Sequence, residues 1–152
     1  METLEPILRE HPFLKGLTQE YINFIVGCTT HKVFKEGEVI LKEGEAADKF
    51  YIIRSGKVAI YIGHPSEITI QTIGEGDILG WSWLIPPHRY RFSAKALENT
   101  RALALDGKCL REKCEKNSDL GYALLKRLVG VLSERLEAAR LQLLDMYNIN
   151  KE

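Results

Sequence analysis

Cysteine, methionine and tryptophan are scarce in this chain, formal net charge is absent, and no long apolar run interrupts it. The three cysteines, Cys28, Cys109 and Cys114, are odd in number and widely spaced, unlike the framework of a secreted disulfide domain. They are therefore expected as buried or idle thiols, and the chain is expected in a reducing cytoplasm. Acidic and basic residues balance at 21 each, so no charge excess points to nucleic acid or an anionic membrane. No stretch reaches the roughly eighteen apolar residues of a membrane span, and Met1 to Glu10 mixes charges with Leu4, Ile7 and Leu8. Neither a span nor a targeting segment is expected. A nucleophile motif, a glycine-rich phosphate loop and a zinc signature are all missing, which argues against an enzyme. His88 has no second histidine or carboxylate at metal spacing, and no metal is assigned.

What is present fits one domain, residues 1–152, since domains of about 100 to 150 residues are the commonest size. The pattern divides it into N-terminal helices over 1–29, a β-roll over 30–106 and C-terminal helices over 107–152. Leu4, Ile7 and Leu8 have helical spacing, and His11-Pro12 ends that helix because the residue before proline avoids the α region. Thr18 is the expected N-cap of a second helix, stopped by Gly27 in the left-handed conformation. From Thr30 the period becomes two, with short β-rich runs separated by Gly37, Gly44, Gly56, Gly63, Gly74, Gly76 and Gly80. Such a pattern predicts a mainly β fold, an antiparallel barrel or roll with flanking helices.

After Asp106-Gly107 helix returns, first as a short charged segment and then, behind Ser118 or Asp119 as cap, as a long one. In it Leu125, Val129, Leu132, Leu136, Ala139, Leu143 and Met146 alternate spacings of four and three, the roughly 3.5-residue repeat of a coiled-coil seam. One reading packs this stripe on the roll. The other pairs its distal part with a second copy, making the segment a dimerisation helix of a two-fold homodimer.

The segment from Lys35 to Val58 resembles the opening hairpins of the cyclic-nucleotide-binding domain family. Gly37, Ile40, Gly44, Asp48, Phe50, Tyr51, Ile52, Ile53, Gly56 and Val58 fall at that family's glycine corners, aspartate and apolar strand positions. Gly74 to Gly80 resembles the strand and turn that enter the family's phosphate-binding cassette. The order of helices, roll and long helix is similar to the sensor halves of catabolite-activator-type (Crp/Fnr) regulators. The resemblance implies an antiparallel double-stranded β-helix, a jelly-roll-like β-roll, and a cassette that binds cyclic AMP or cyclic GMP. In that family a glycine and a short helix aim backbone N–H groups at the phosphate, an arginine adds charge, and a glutamate after the glycine takes the ribose hydroxyl.

Here the cassette reads from Gly80 to Ala94, and it departs from the pattern. Trp81 stands where the glutamate belongs, and an indole accepts no hydroxyl proton. Counting back from Ser93 puts Tyr90 at the arginine's place, with Arg89 and Arg91 beside it. Pro86 and Pro87 restrict the cassette helix to about one turn. Trp81 and Trp83 either fill the core or stack on a planar ligand, and Arg89 and Arg91 are either solvated or an anion clamp. The expected ligand contacts are thus Gly80, Trp81, Ser82, Trp83, Arg89, Arg91 and Ser93. Three functions remain open: a stand-alone sensor of a small anionic ligand bound between roll and long helix, a degenerate scaffold plugged by its tryptophans, or the sensor half of a longer transcription regulator. The chain stops at Glu152, just past the seam, so no DNA-reading element is expected within it.

Overall fold

The computed structural model describes residues 4–63 and 66–151. Two helices, α1 (Leu4–Glu10) and α2 (Gln19–Val26), precede eight strands: β1 (Thr29–Phe34), β2 (Val39–Leu41), β3 (Lys49–Ser55), β4 (Val58–Ile62), β5 (Ile68–Ile73), β6 (Ile78–Leu79), β7 (Ser93–Ala96) and β8 (Thr100–Asp106). Helices α3 (Gly107–Lys116) and α4 (Ser118–Lys151) follow. The strands form two four-stranded sheets, ordered β1-β8-β3-β6 and β2-β7-β4-β5, with antiparallel pairing throughout.

β3 and β8 lie in the middle of the first sheet and are covered on both faces, which is why their sequences read as continuous apolar runs. Phe50 and Ile52 of β3, with Leu103 and Leu105 of β8, join the core under the helices. Their neighbours Tyr51, Ile53, Ala102 and Ala104 line the space between the sheets. The corner after β3 is closed by Gly56, at φ 105°, where a Cβ would lie 2.4 Å from the Thr100 hydroxyl oxygen and 2.7 Å from its Cα. No other residue fits there without displacing β8.

Two local expectations are corrected. α2 does not end on a left-handed glycine, because Gly27 is right-handed, at φ −63°. The Lys113 ammonium instead reaches over from α3 and donates to the Phe24 carbonyl (2.9 Å), and it lies 3.0 Å from where a Gly27 Cβ would be. α4 is capped neither by Ser118 nor by Asp119. The Asn117 side chain accepts from the Leu120 N–H at 3.1 Å.

The largest correction concerns the cysteines. Cys28 and Cys109 are joined in a disulfide, with Sγ atoms 2.11 Å and Cα atoms 5.8 Å apart, across 81 residues of sequence. The register of β1 on β8 explains it: Thr29 faces Leu105, and the Asp106 N–H donates to the Cys28 carbonyl (2.8 Å). Asp106 caps α3 by accepting from the Lys108 and Cys109 N–H groups, so the first turn of α3 carries Cys109 back over Cys28. Cys114 alone is a free thiol.

Candidate functional site

β6 delivers the chain to Gly80, whose φ of 86° turns it into a single 3-10 turn over Trp81–Trp83. The turn stops at Leu84, in keeping with the paired prolines that follow, Pro86 and Pro87. The returning loop is zipped to the β2–β3 corner. Gly44 N–H donates to the Tyr90 carbonyl (2.8 Å), Tyr90 N–H to Glu45 (3.0 Å), and Ala47 N–H to His88 (2.7 Å). The Glu43 N–H donates to the buried Ser93 hydroxyl at 3.0 Å, fixing the start of β7. Ser82 is likewise buried.

The two tryptophans part company. Trp83 is buried in the helix-side core, its ring centroid 5.7 Å from that of Phe50. The expectation that it contacts a planar ligand is therefore corrected, because Phe50 already covers it. Trp81 is half-buried and meets Phe92 at 6.4 Å. Trp83 also anchors the turn to α3, since its carbonyl accepts from Arg111. The same guanidinium donates to Ala47 (3.4 Å) and pairs with Asp48 at 3.7 Å.

Tyr90 occupies the position that counting assigned to an arginine, and it points inward. Its ring packs beside Gly80, and a Cβ there would stand 3.3 Å from it. Its hydroxyl donates to the Lys49 carbonyl (2.7 Å) and accepts from the Lys49 N–H (3.2 Å), so both capacities are used within the protein. Burial chiefly pushes the phenol up to about 12, and it stays neutral at physiological pH. Arg89 and Arg91, on either side, are both exposed. Arg89 donates to the Gly44 carbonyl at 2.8 Å, which ties it to the corner beside the cassette. The geometry thus gathers Gly80, Trp81, Ser82, Arg89, Arg91 and Ser93 around one turn and loop, and takes Trp83 out. Sequence reasoning missed Asp48 and Arg111 as the link from this turn to α3.

A groove of about 410 Å³ lies between the roll and α4, lined by Phe13, Gln71, Asp77, Arg127, Glu134 and Arg135 among others. None of the residues chosen from sequence lines it. Its arginines serve backbone carbonyls, Arg127 that of Lys15 (2.9 Å) and Arg135 that of Ile78, and acidic side chains balance them. It is not a site selective for anions.

α4 faces the body with Leu120, Leu124 and Leu128, all buried. At about 100° per residue, the seam lies roughly a quarter turn around from that stripe. Leu125, Val129, Leu136, Ala139, Leu143 and Met146 are exposed, while Leu132 is half-buried against the core. From Leu136 to Asn148 every side chain is exposed. No helix among the described residues is long and apolar enough to cross a membrane.

Comparison with known proteins gives consistent matches. The profile of the cyclic nucleotide-binding domain fits residues 31–117. The cyclic AMP receptor protein of Thermus thermophilus is 27% identical over 145 residues, 90% of this chain and 62% of that protein. The CRP-like cAMP-activated global transcriptional regulator of Mycobacterium tuberculosis is 30% identical over 115 residues, 74% of this chain and 50% of that protein. The chain thus spans between half and two thirds of these relatives. The crystal structure of a cyclic nucleotide-binding protein from Geobacter metallireducens superposes with a TM-score of 0.82 at 32% identity, covering 90% of this chain and 99% of that one.

Proposed function

Because the chain belongs to the cyclic nucleotide-binding domain family, we propose that it is a non-enzymatic sensor module, a single domain over 1–152, that binds a small anionic ligand at the Gly80 turn and signals through α4 as a cytoplasmic homodimer. Cyclic AMP and cyclic GMP are the first candidates. The observation that carries this reading is the bond from Arg111 to the Trp83 carbonyl, which couples the cassette turn directly to the helix that leads into α4. A ligand that settles the turn then biases how α3 and α4 sit on the roll. Arg89 and Arg91 supply the positive charge for the phosphate, and the half-buried Trp81 offers its face to the base. The exposed seam supports pairing with the same helix of a second copy.

A second reading, a dimeric scaffold without ligand, is favoured by one specific observation: the Tyr90 ring fills the roll beside Gly80, and its hydroxyl is satisfied internally. Thermal unfolding with millimolar cyclic AMP or cyclic GMP separates the two. Ligand at about a hundred times its dissociation constant adds roughly 2.7 kcal/mol and raises the midpoint by several degrees. A rise that vanishes in the Arg89→Ala, Arg91→Ala double variant supports the sensor. An unmoved midpoint with both nucleotides supports the scaffold.

A further inference from the structure

α3 leads into α4 and is tied to the cassette turn, to the β2–β3 corner and to α2. Arg111 ties it to the cassette turn and to Asp48. Lys113 ties it to α2, donating to the Phe24 carbonyl with its ammonium 5.6 Å from the Phe24 ring centroid. Alongside these polar contacts stands one covalent bond, Cys28–Cys109, from the α2–β1 corner to the first turn of α3. Arg111 and Lys113 lie one and three residues past the buried Leu110, so whatever holds the first turn of α3 also sets where both reach.

We propose that Cys28 and Cys109 are a reversible redox pair that clamps α3 to the α2–β1 corner when closed and frees it when open. In the cytoplasm proposed above, a disulfide between secondary-structure elements forms and breaks with the local thiol poise rather than serving as a permanent staple. Cys28 is only 6% exposed and Cys109 half-buried, so an incoming thiolate attacks the Cys109 sulfur. A small dithiol accomplishes the opening. Its first sulfur forms a mixed disulfide with Cys109, Cys28 leaves as thiolate and takes a proton, and the second sulfur then displaces Cys109. Two electrons pass to the protein, and the dithiol becomes a cyclic disulfide. Cys114 takes no part: five residues further along α3 it lies roughly 140° around the helix, packed against Gly121, where burial raises its pKa and keeps it protonated. The consequence for ligand binding rests on the function proposed above, because it runs through Arg111 to the cassette turn.

The test equilibrates the full chain in mixtures of reduced and oxidised dithiothreitol, alkylates the free thiols for counting by mass, and measures amide hydrogen exchange in each state. One alkylated thiol is expected at the oxidising end and three at the reducing end, interconverting in both directions. Amides of Lys108 to Lys116 exchange at least about tenfold faster in the open form, while those of β3 and β8 do not change. Cys114→Ser keeps the response, and Cys109→Ser exchanges like the open wild type in every mixture. Three free thiols in every mixture, or equal exchange in both states, overturns the proposal. These readouts need no nucleotide, so failure of both states to bind cyclic AMP or cyclic GMP counts against the sensor reading alone. Equal affinity of the two states, where binding occurs, overturns the coupling to the cassette.

Discussion

The core beneath the helices is filled by large side chains from many elements, Phe13, Phe50, Trp83 and a set of leucines and isoleucines, whereas the chamber between the sheets sets five alanines among Ile53, Val58, Ile60, Ile73 and Leu79. Ala47, Ala94, Ala96, Ala102 and Ala104 line the chamber, and Phe34, Tyr51 and Tyr90 fill what they leave. A core of large residues holds α1, α2, α3 and the base of α4 on the roll by burial, to which the Cys28–Cys109 bond and the Lys113 and Arg127 hydrogen bonds add. The alanines gain less from burial, and beside them the Tyr90 hydroxyl is fixed by its hydrogen bonds to Lys49. The difference separates a core filled by large side chains throughout from one in which alanines leave room that aromatic rings take up.

The sharpest contrast comes from Phe50→Ala, which leaves a void between Phe13 and Trp83. A loss of about 3 to 5 kcal/mol is expected in urea unfolding. Ala102→Leu, overfilling the chamber, should cost less, about 1 to 3 kcal/mol by the same measurement. If the two costs came out equal, the chamber would be a packed core like the other.

Tyr90→Phe strips the hydroxyl from Lys49 and should cost about 1 to 2 kcal/mol near neutral pH. It also has a signature in alkali. The folded phenol, at about 12, ionises above its ordinary 10.0, so the unfolded chain loses its proton first. The protonated phenol's contribution is complete below pH 10 and is lost as pH rises through 12. Stability of the wild type should therefore fall more steeply over that window than that of Tyr90→Phe, and parallel curves in pH-dependent unfolding would show that Tyr90 titrates normally. The smallest effect on stability belongs to Leu143→Lys, far from either core. The unfolding free energy should move by no more than about 0.5 kcal/mol, while the proposed homodimer shifts toward monomer in sedimentation.

Periodicity made the elements legible, because β3 and β8 carry their burial on both faces and α4 carries its stripe in the spacing of its leucines. The glycine corners were legible for the same local reason: Gly37, Gly44, Gly56, Gly76 and Gly80 take positive φ, although Gly63 and Gly74 do not. What escaped were contacts made across the chain. Nothing near Gly27 tells that a lysine 86 residues on will cap its helix. The pairing of Cys28 with Cys109 follows only once the β1–β8 register is known, and an odd count of cysteines hid it. Trp83 was ambiguous because a tryptophan beside a turn packs inward or outward with equal ease. Only the position of Phe50 decides.

Beyond Arg135, α4 leaves the body, and about 20 Å of it extends to Asn148. A rod fixed at one end magnifies whatever happens at its base. A tilt of about 10° where it departs carries the far tip more than 3 Å sideways, close to the width of a methyl group, with no local rearrangement along the way. Shifts at the α3 junction too small to notice in the roll are thus read at full scale at the tip.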